Sequence, residues 1–242
     1  MTNGELRNCV IGYTGFVGNK IYLKLKKENP NTLGFNTKNI HKIKKGHFNE
    51  VFCAALPAKK WIANKNPTKD FNNIKKLVSF VKTIKVNIFY LISTIDCEFG
   101  SGDYGKNRLY FENFVKKKFK KFVIIRLPAL FGKGLKKNIL YDLINNNQIE
   151  KINIHDQYQW FDLDRIFLEI KKIRRNKFTN KVIKLYSEPV SNKDISKLFP
   201  KANLREYSSF QTKYNIIPSQ GYYATKKSIL KKIKNFIKKY ES

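Results

Sequence analysis

Gly12-Tyr13-Thr14-Gly15-Phe16-Val17-Gly18 joins an apolar run, Cys9-Val10-Ile11, to a helical pattern opening at Lys20-Ile21-Tyr22-Leu23-Lys24-Leu25-Lys26-Lys27. The apolar run reads as a short buried strand. Strand, glycine turn, helix is the context in which a glycine spacing points to phosphate binding. Gly12 allows the tight turn, Gly15 lets the backbone approach a pyrophosphate, and Gly18 lets helix and strand pack closely. The free N–H groups of the helix's first turn then face the anion. Gly12, Thr14, Gly15, Phe16, Val17 and Gly18 are therefore the first candidate cofactor-binding residues.

The spacing is G-x-x-G-x-x-G rather than G-x-G-x-x-G. Together with Phe16-Val17 it resembles the extended short-chain dehydrogenase/reductase family, also called the NAD-dependent epimerase/dehydratase family. The resemblance implies an α/β fold: a parallel doubly wound (Rossmann) sheet with a small C-terminal substrate lobe. It implies NADP or NAD as cofactor and a nucleotide sugar as substrate, in epimerisation, dehydration or keto reduction. The expected division is an NAD(P)-binding domain over residues 1–135 and a substrate lobe over 136–242, with elements returning to the sheet.

Bulk composition bounds the alternatives. With 242 residues, 42% of them hydrophobic, the chain can bury one good core and a small appended lobe. Cys9, Cys53 and Cys97 sit beside apolar residues with no metal-ligand spacing, which reads as reduced buried thiols in a cytoplasmic protein. His41, His47 and His155 are scattered, so no metal site is expected. No apolar run reaches membrane-spanning length and no signal-peptide core opens the chain. The net charge of +31 invites a nucleic-acid reading. The lysines are spread along the whole chain among many Asn and Ile, as an AT-rich coding sequence produces, so a solvated lysine surface is expected instead.

Thr32-Leu33-Gly34-Phe35 reads as the second strand, whose end meets the adenosine ribose in a dinucleotide fold. An acid there favours NAD, but Asn36-Thr37-Lys38-Asn39 supplies none. Asn36, Thr37 and Lys38 can instead hold a 2′-phosphate, which leans toward NADP. Val51-Phe52-Cys53-Ala54-Ala55 is the next buried strand, followed by Leu56-Pro57-Ala58. The resemblance places Ala54, Ala55 and Leu56 beside the adenine and its ribose. A helix opens at Asp70-Phe71-Asn72-Asn73-Ile74, where Asn73 matches the family's asparagine. Asn87 to Ile92 is an apolar run that reads as a central strand and delivers Ser93-Thr94 at its carboxyl end.

Ten residues later, Tyr104-Gly105-Lys106-Asn107-Arg108 leads into a helix with Leu109, Phe111, Phe114 and Val115. The family's catalytic motif is Y-x-x-x-K, and this chain has Arg at the last position. Tyr104 and Arg108, at i and i+4, share a helix face, whereas Lys106 points away. In the chemistry the resemblance implies, a phenol exchanges a proton with the substrate, a cation lowers its pKa, and a hydroxyl holds the substrate oxygen. Tyr104, Arg108 and Thr94 are the catalytic candidates, with Ser93 the lesser choice of hydroxyl and a substrate-binding candidate. Gly100-Ser101-Gly102 makes the intervening loop short and flexible.

Phe122 to Pro128 reads as another strand and resembles the family's R-x-P segment, which puts Pro128 at the nicotinamide. Arg126 reads equally well as one half of a buried ion pair. The resemblance implies an asparagine in this region that contacts the substrate diphosphate, and Asn138 is the candidate. The aromatic-x-x-Asp turn maps to Gln157 through Arg165, where Asp162 or Asp164 can also be a plain helix cap. Lys181 to Tyr186 reads as a strand, Ser191 as an N-cap, 208–223 as irregular, and a last amphipathic helix carries Ile229, Ile233, Phe236, Ile237 and Tyr240 on one face. That helix is expected to dock on its own domain rather than on a membrane. A homodimer is a further possibility. Two rival classes stand beside the enzyme: a non-catalytic NAD(P)-binding regulator, and a basic protein associated with nucleic acid.

Overall fold

The computed structural model describes residues 7–100, 102–200, 202, 204, 206 and 212–241. Ser101 and residues 208–211, from the loop and the irregular stretch above, lie outside the described residues. The chain divides into two compact units, one of residues 1–126 and 165–183, the other of 127–164 and 184–242.

The first unit begins with β1 (Cys9–Ile11), α1 (Phe16–Glu28), β2 (Leu33–Phe35), β3 (His47–Cys53), α2 (Lys60–Lys65), α3 (Pro67–Val81), β4 (Lys85–Thr94), α4 (Asp103–Lys118) and β5 (Phe122–Leu127). In the second unit follow β6 (Ala129–Phe131), α5 (Ile139–Ile144), β7 (Gln157–Tyr158) and β8 (Trp160–Asp162). The chain then returns to the first unit with α6 (Ile166–Arg175) and β9 (Lys181–Lys184). It ends in the second with β10 (Val190–Ser191), α7 (Asn192–Ser196) and α8 (Lys226–Glu241).

Six strands form one sheet in the order β2-β1-β3-β4-β5-β9, mostly parallel, with flanking helices. β1 pairs in parallel with both β2 and β3, Ile11 lying between Phe35 and Cys53. The strand order therefore reverses at β1, and its carboxyl end is the crevice where open α/β sheets take their ligands. The centre is apolar because these strands are covered on both faces: Val10, Ile11, Val51, Phe52, Phe89 and Leu91 are all buried. β3 starts earlier than its apolar run, since His47-Phe48-Asn49-Glu50 alternates exposed and buried residues. α3 starts at Pro67, a residue preorganised for the first helical position, rather than at Asp70. α2 carries a single buried residue, Ala63, so no apolar stripe announced it.

The second unit pairs β6 with β8 in parallel and β7 with β10 antiparallel. Buried Gln159 stitches it together: its Nε2 donates to the carbonyls of Ser187 and Ile216, each at 2.8 Å, and its Oε1 accepts from the Ile216 N–H at 2.9 Å. Ser191 caps α7 in a capping box with Asp194. Ile229, Ile233 and Ile237 of α8 are buried one turn apart, and Phe236 packs 5.7 Å from Phe131. No helix among the described residues is long and apolar enough to cross a membrane.

Candidate cofactor and catalytic site

The glycine turn sits where the strand order reverses. The Gly12 N–H donates to the Phe35 carbonyl at 2.7 Å and the Ala54 N–H to the Ile11 carbonyl at 2.8 Å, so β2, β1 and β3 converge on it. Gly12 has φ +84°, and a Cβ there would lie 2.6 Å from the Ala54 carbonyl oxygen. A Cβ on Gly18 would lie 2.2 Å from the Gly12 oxygen, so α1 can approach the turn only without one. Gly15 is different: a Cβ would meet only the Gly12 oxygen, at 3.3 Å, and the space over it is otherwise open. No side chain caps α1 and no acid sits in its first turn. Its N–H groups are thus offered outward at the positive end of the helix dipole. A cradle that one methyl group would fill, under an uncapped N-terminus, fits a dinucleotide's pyrophosphate. Thr14 is exposed here, and Phe16 and Val17 are half-buried in the first turn.

At the end of β2, Asn36 makes a local turn: its Oδ1 accepts the Lys38 N–H at 2.9 Å, and its own N–H donates to Asn39 Oδ1 at 2.7 Å. Thr37 and Lys38 are exposed beyond it. Ala54, Ala55 and Leu56 follow β3, half-buried. Asn73 is exposed on α3 and lines an open depression with Lys65, Asn66, Pro67, Thr68, Lys69 and Asn72. Pro128 and Asn138 belong to the second unit. Pro128 is buried. Asn138, at φ +103°, caps α5 by accepting from the Leu140 and Tyr141 N–H groups at 3.0 and 3.3 Å, and donates to the Leu130 carbonyl at 2.7 Å.

Ser93 and Thr94 take opposite faces of β4, as neighbours on a strand must. Ser93 is buried and donates to Glu112 Oε1 at 2.6 Å. The same carboxylate takes a fork from Arg126, whose Nε and Nη2 lie 2.9 and 2.6 Å from it, while Nη1 reaches Glu98 at 2.7 Å. Burial opposes the Arg126 charge, and these carboxylates more than offset it. Arg126 is thus a structural ion-pair residue, and Ser93 shares its partner. Thr94 donates to Asp96 Oδ2 at 2.7 Å, and Asp96 Oδ1 is met by Lys60 of α2 at 2.6 Å. Gly105 lets α4 close on this turn, since a Cβ there would lie 2.4 Å from the Asp96 carbonyl oxygen.

Tyr104 is buried in the first turn of α4, with the Arg108 guanidinium stacked 3.7 Å from its ring centroid. Arg108 is 1% exposed. Its two terminal nitrogens bridge both carboxylate oxygens of Asp70 on α3, one at 2.9 Å, and also reach the carbonyls of Pro57 and, at 3.2 Å, of Tyr104. Asn107 adds a hydrogen bond to Asp70 Oδ2 at 2.9 Å. Sequence reading missed Asp70 as anything but a helix start. It lies 38 residues from Arg108, and no local spacing links the two. Burial pushes the Tyr104 phenol up to about 12; Arg108 pulls it down, while Asp96, Asp70 and Cys97 push it further up.

No protein-family model matches the sequence, and no curated protein matches it. Solved structures do match over nearly the whole chain. A dTDP-4-dehydrorhamnose reductase from Clostridium acetobutylicum superposes with a TM-score of 0.75 at 17% identity, over 98% of this chain and 100% of that one. The dTDP-4-dehydrorhamnose reductase of Bacillus anthracis, in complex with NADP, gives 0.72 at 17% identity over 99% and 100%. UDP-glucose 4-epimerase of Thermotoga maritima, with UDP-glucose, gives 0.68 at 13% identity over 98% and 99%. With the reversal at β1, the glycine turn beneath α1 and these superpositions, the chain has a Rossmann-like fold like that of these reductases and this epimerase.

Proposed function

We propose that this chain is an NAD(P)-dependent enzyme that reduces a carbonyl on a nucleotide-linked sugar. The observation that carries the reading is the Tyr104 phenol, buried on α4 beside the carboxyl end of β4 and paired with a cation already held by Asp70. A phenol so placed keeps its proton at neutral pH and serves as an acid toward a carbonyl oxygen. A nicotinamide cofactor, when bound, supplies the hydride. The first turn of α1 and Gly15 would hold its pyrophosphate, and Asn36, Thr37 and Lys38 its adenosine ribose, where the missing acid leans toward NADP. Ala54, Ala55 and Leu56 would flank the adenosine. Thr94 keeps Asp96 in place at the site's edge, and Tyr104 moves the proton from its phenol oxygen. Likeness to reductases, an epimerase and a dehydratase that act in nucleotide-sugar chemistry supports the substrate class.

The test is consumption of NADPH or NADH by the purified chain with a panel of nucleotide-linked keto sugars. Turnover is expected, and Tyr104→Phe should lower it by ~100-fold while leaving cofactor binding intact. A second reading has its own support. Arg108 has both terminal nitrogens committed to Asp70 and backbone carbonyls, and the Thr94 hydroxyl proton goes to Asp96, as in a cofactor-binding protein without catalysis. Cofactor binding with no turnover across the panel would favour it.

A further inference from the structure

Three observations around Arg108 belong together. The guanidinium presents its two terminal nitrogens to both oxygens of one buried carboxylate, Asp70, from a neighbouring helix. Its Cζ sits over the Tyr104 ring, 3.7 Å from the centroid. Its Nε–H, although buried, has no hydrogen-bond partner among the described residues. A buried donor without a partner is costly, so the group is not oriented to satisfy the largest number of its own hydrogen bonds. The Asp70 fork and the aromatic face together hold it in this pose.

We propose that Asp70 is the positioning residue of the Tyr104 site: it clamps the Arg108 guanidinium against the tyrosine ring as a neutral pair, and so opposes the pull of Arg108 on the Tyr104 proton. The proposal rests on the reading of Tyr104 as the proton-moving group. Arg108 is the cation facing the phenol from its own helix. Asp70 faces it from α3, and Asp96 and Cys97 from the turn after β4. Lys60 of α2 reaches this group through Asp96, to which Thr94 also donates. Asp70 bridges the cation that touches the ring through both of its carboxylate oxygens. Asp70 itself does not touch the reacting oxygen. A bidentate arginine–carboxylate pair fixes geometry as well as charge, which a lysine at position 108 could not do in the same way.

The experiment is tyrosine-ring NMR of the chain labelled at tyrosine, titrated with pH, with Tyr104→Phe identifying the Tyr104 resonance. In the native chain Tyr104 should remain protonated through about pH 10, the ordinary tyrosine value. Asp70→Asn removes the clamp's charge but not its shape, and should lower the pH at which Tyr104 ionises relative to the native chain, with burial still holding it above an exposed tyrosine. A structural role alone would lower the melting temperature and leave that titration where it was, which would overturn the proposal. Should Asp70→Asn not fold, the double variant Asp70→Asn, Arg108→Gln decides, because it buries no unpaired charge. A neutral-pair clamp predicts that its Tyr104 titrates within about one unit of the native residue, whereas a clear rise would mean that Arg108 acts unopposed. Full turnover by Tyr104→Phe would refute the reductase reading and leave these titrations as they stand, so the two failures are separable.

Discussion

Replacing Arg108 by lysine gives the sharpest test of how this chain uses its helix α4. The guanidinium is 1% exposed, spans both oxygens of Asp70, reaches the carbonyls of Pro57 and Tyr104, and stacks on the Tyr104 ring. A lysine ammonium keeps the charge but not the planar fork. It can serve one Asp70 oxygen and one carbonyl, so roughly two hydrogen bonds are lost. At about 1–2 kcal/mol each, for bonds that involve a charged partner, the cost is about 2–4 kcal/mol. For a chain of this size that lowers the melting temperature by about 4–15 °C. Arg108→Ala should cost more, about 3–5 kcal/mol, because it strands the Asp70 carboxylate in the interior. Asp70→Leu combined with Arg108→Met removes both charges together and should recover most of the loss. Thermal unfolding followed by circular dichroism measures all four proteins. A lysine variant that melts within about 1 °C of the native chain would refute the reasoning, since no fork-dependent energy would then exist.

The remaining predictions concern the cofactor and the second unit. NADPH and NADH should raise the melting temperature in a dose-dependent way, and Gly15→Val should abolish the shift by filling the one open position of the turn. No shift with either cofactor at millimolar levels would overturn the dinucleotide site. NADPH should bind at least as well as NADH, and Asn36→Asp should swing the preference toward NADH by repelling a 2′-phosphate; calorimetric titration that finds a native preference for NADH, unmoved by the change, counts against it. Burial raises the Asp194 carboxyl, but hydrogen bonds from Lys226 and Ser191 outweigh burial and hold it below the ordinary value. A lowered folded-state pKa stabilises above the unfolded value of about 3.9 and is lost as pH falls through the folded one. Asp194→Asn should therefore melt lower than native at neutral pH, with the gap closing below about pH 4; a gap that persists into acid would refute the assignment.

Features that depend on neighbouring residues were legible without tertiary structure. Gly12, Gly15 and Gly18 have meaning because strand, turn and helix are adjacent in the chain; β1 and β4 contain their apolar runs, and α1 covers its own but starts earlier, at Phe16 instead of Lys20. The fold class follows from that alternation. The Ser191 cap was readable for the same reason, since Asp194 lies three residues away. Elements without an amphipathic stripe were not legible. α2 buries only Ala63, and the early residues of β3 alternate over too short a span to stand out.

What tertiary structure decided is the company each polar group keeps. From the sequence, Tyr104 and Arg108 share a helix face, and Arg108 is a cation free to tune the phenol. Folding brings in Asp70 from α3, Pro57 from the segment after β3, and Asp96 with Lys60 from two further segments. Ser93 and Arg126 meet on Glu112, which no spacing announced. Helix periodicity specifies which residues face the same way along one element. It carries no information on which carboxylate from another element will be buried against them, because that partner is chosen by packing between elements far apart in the chain, and burial makes the pairing obligatory.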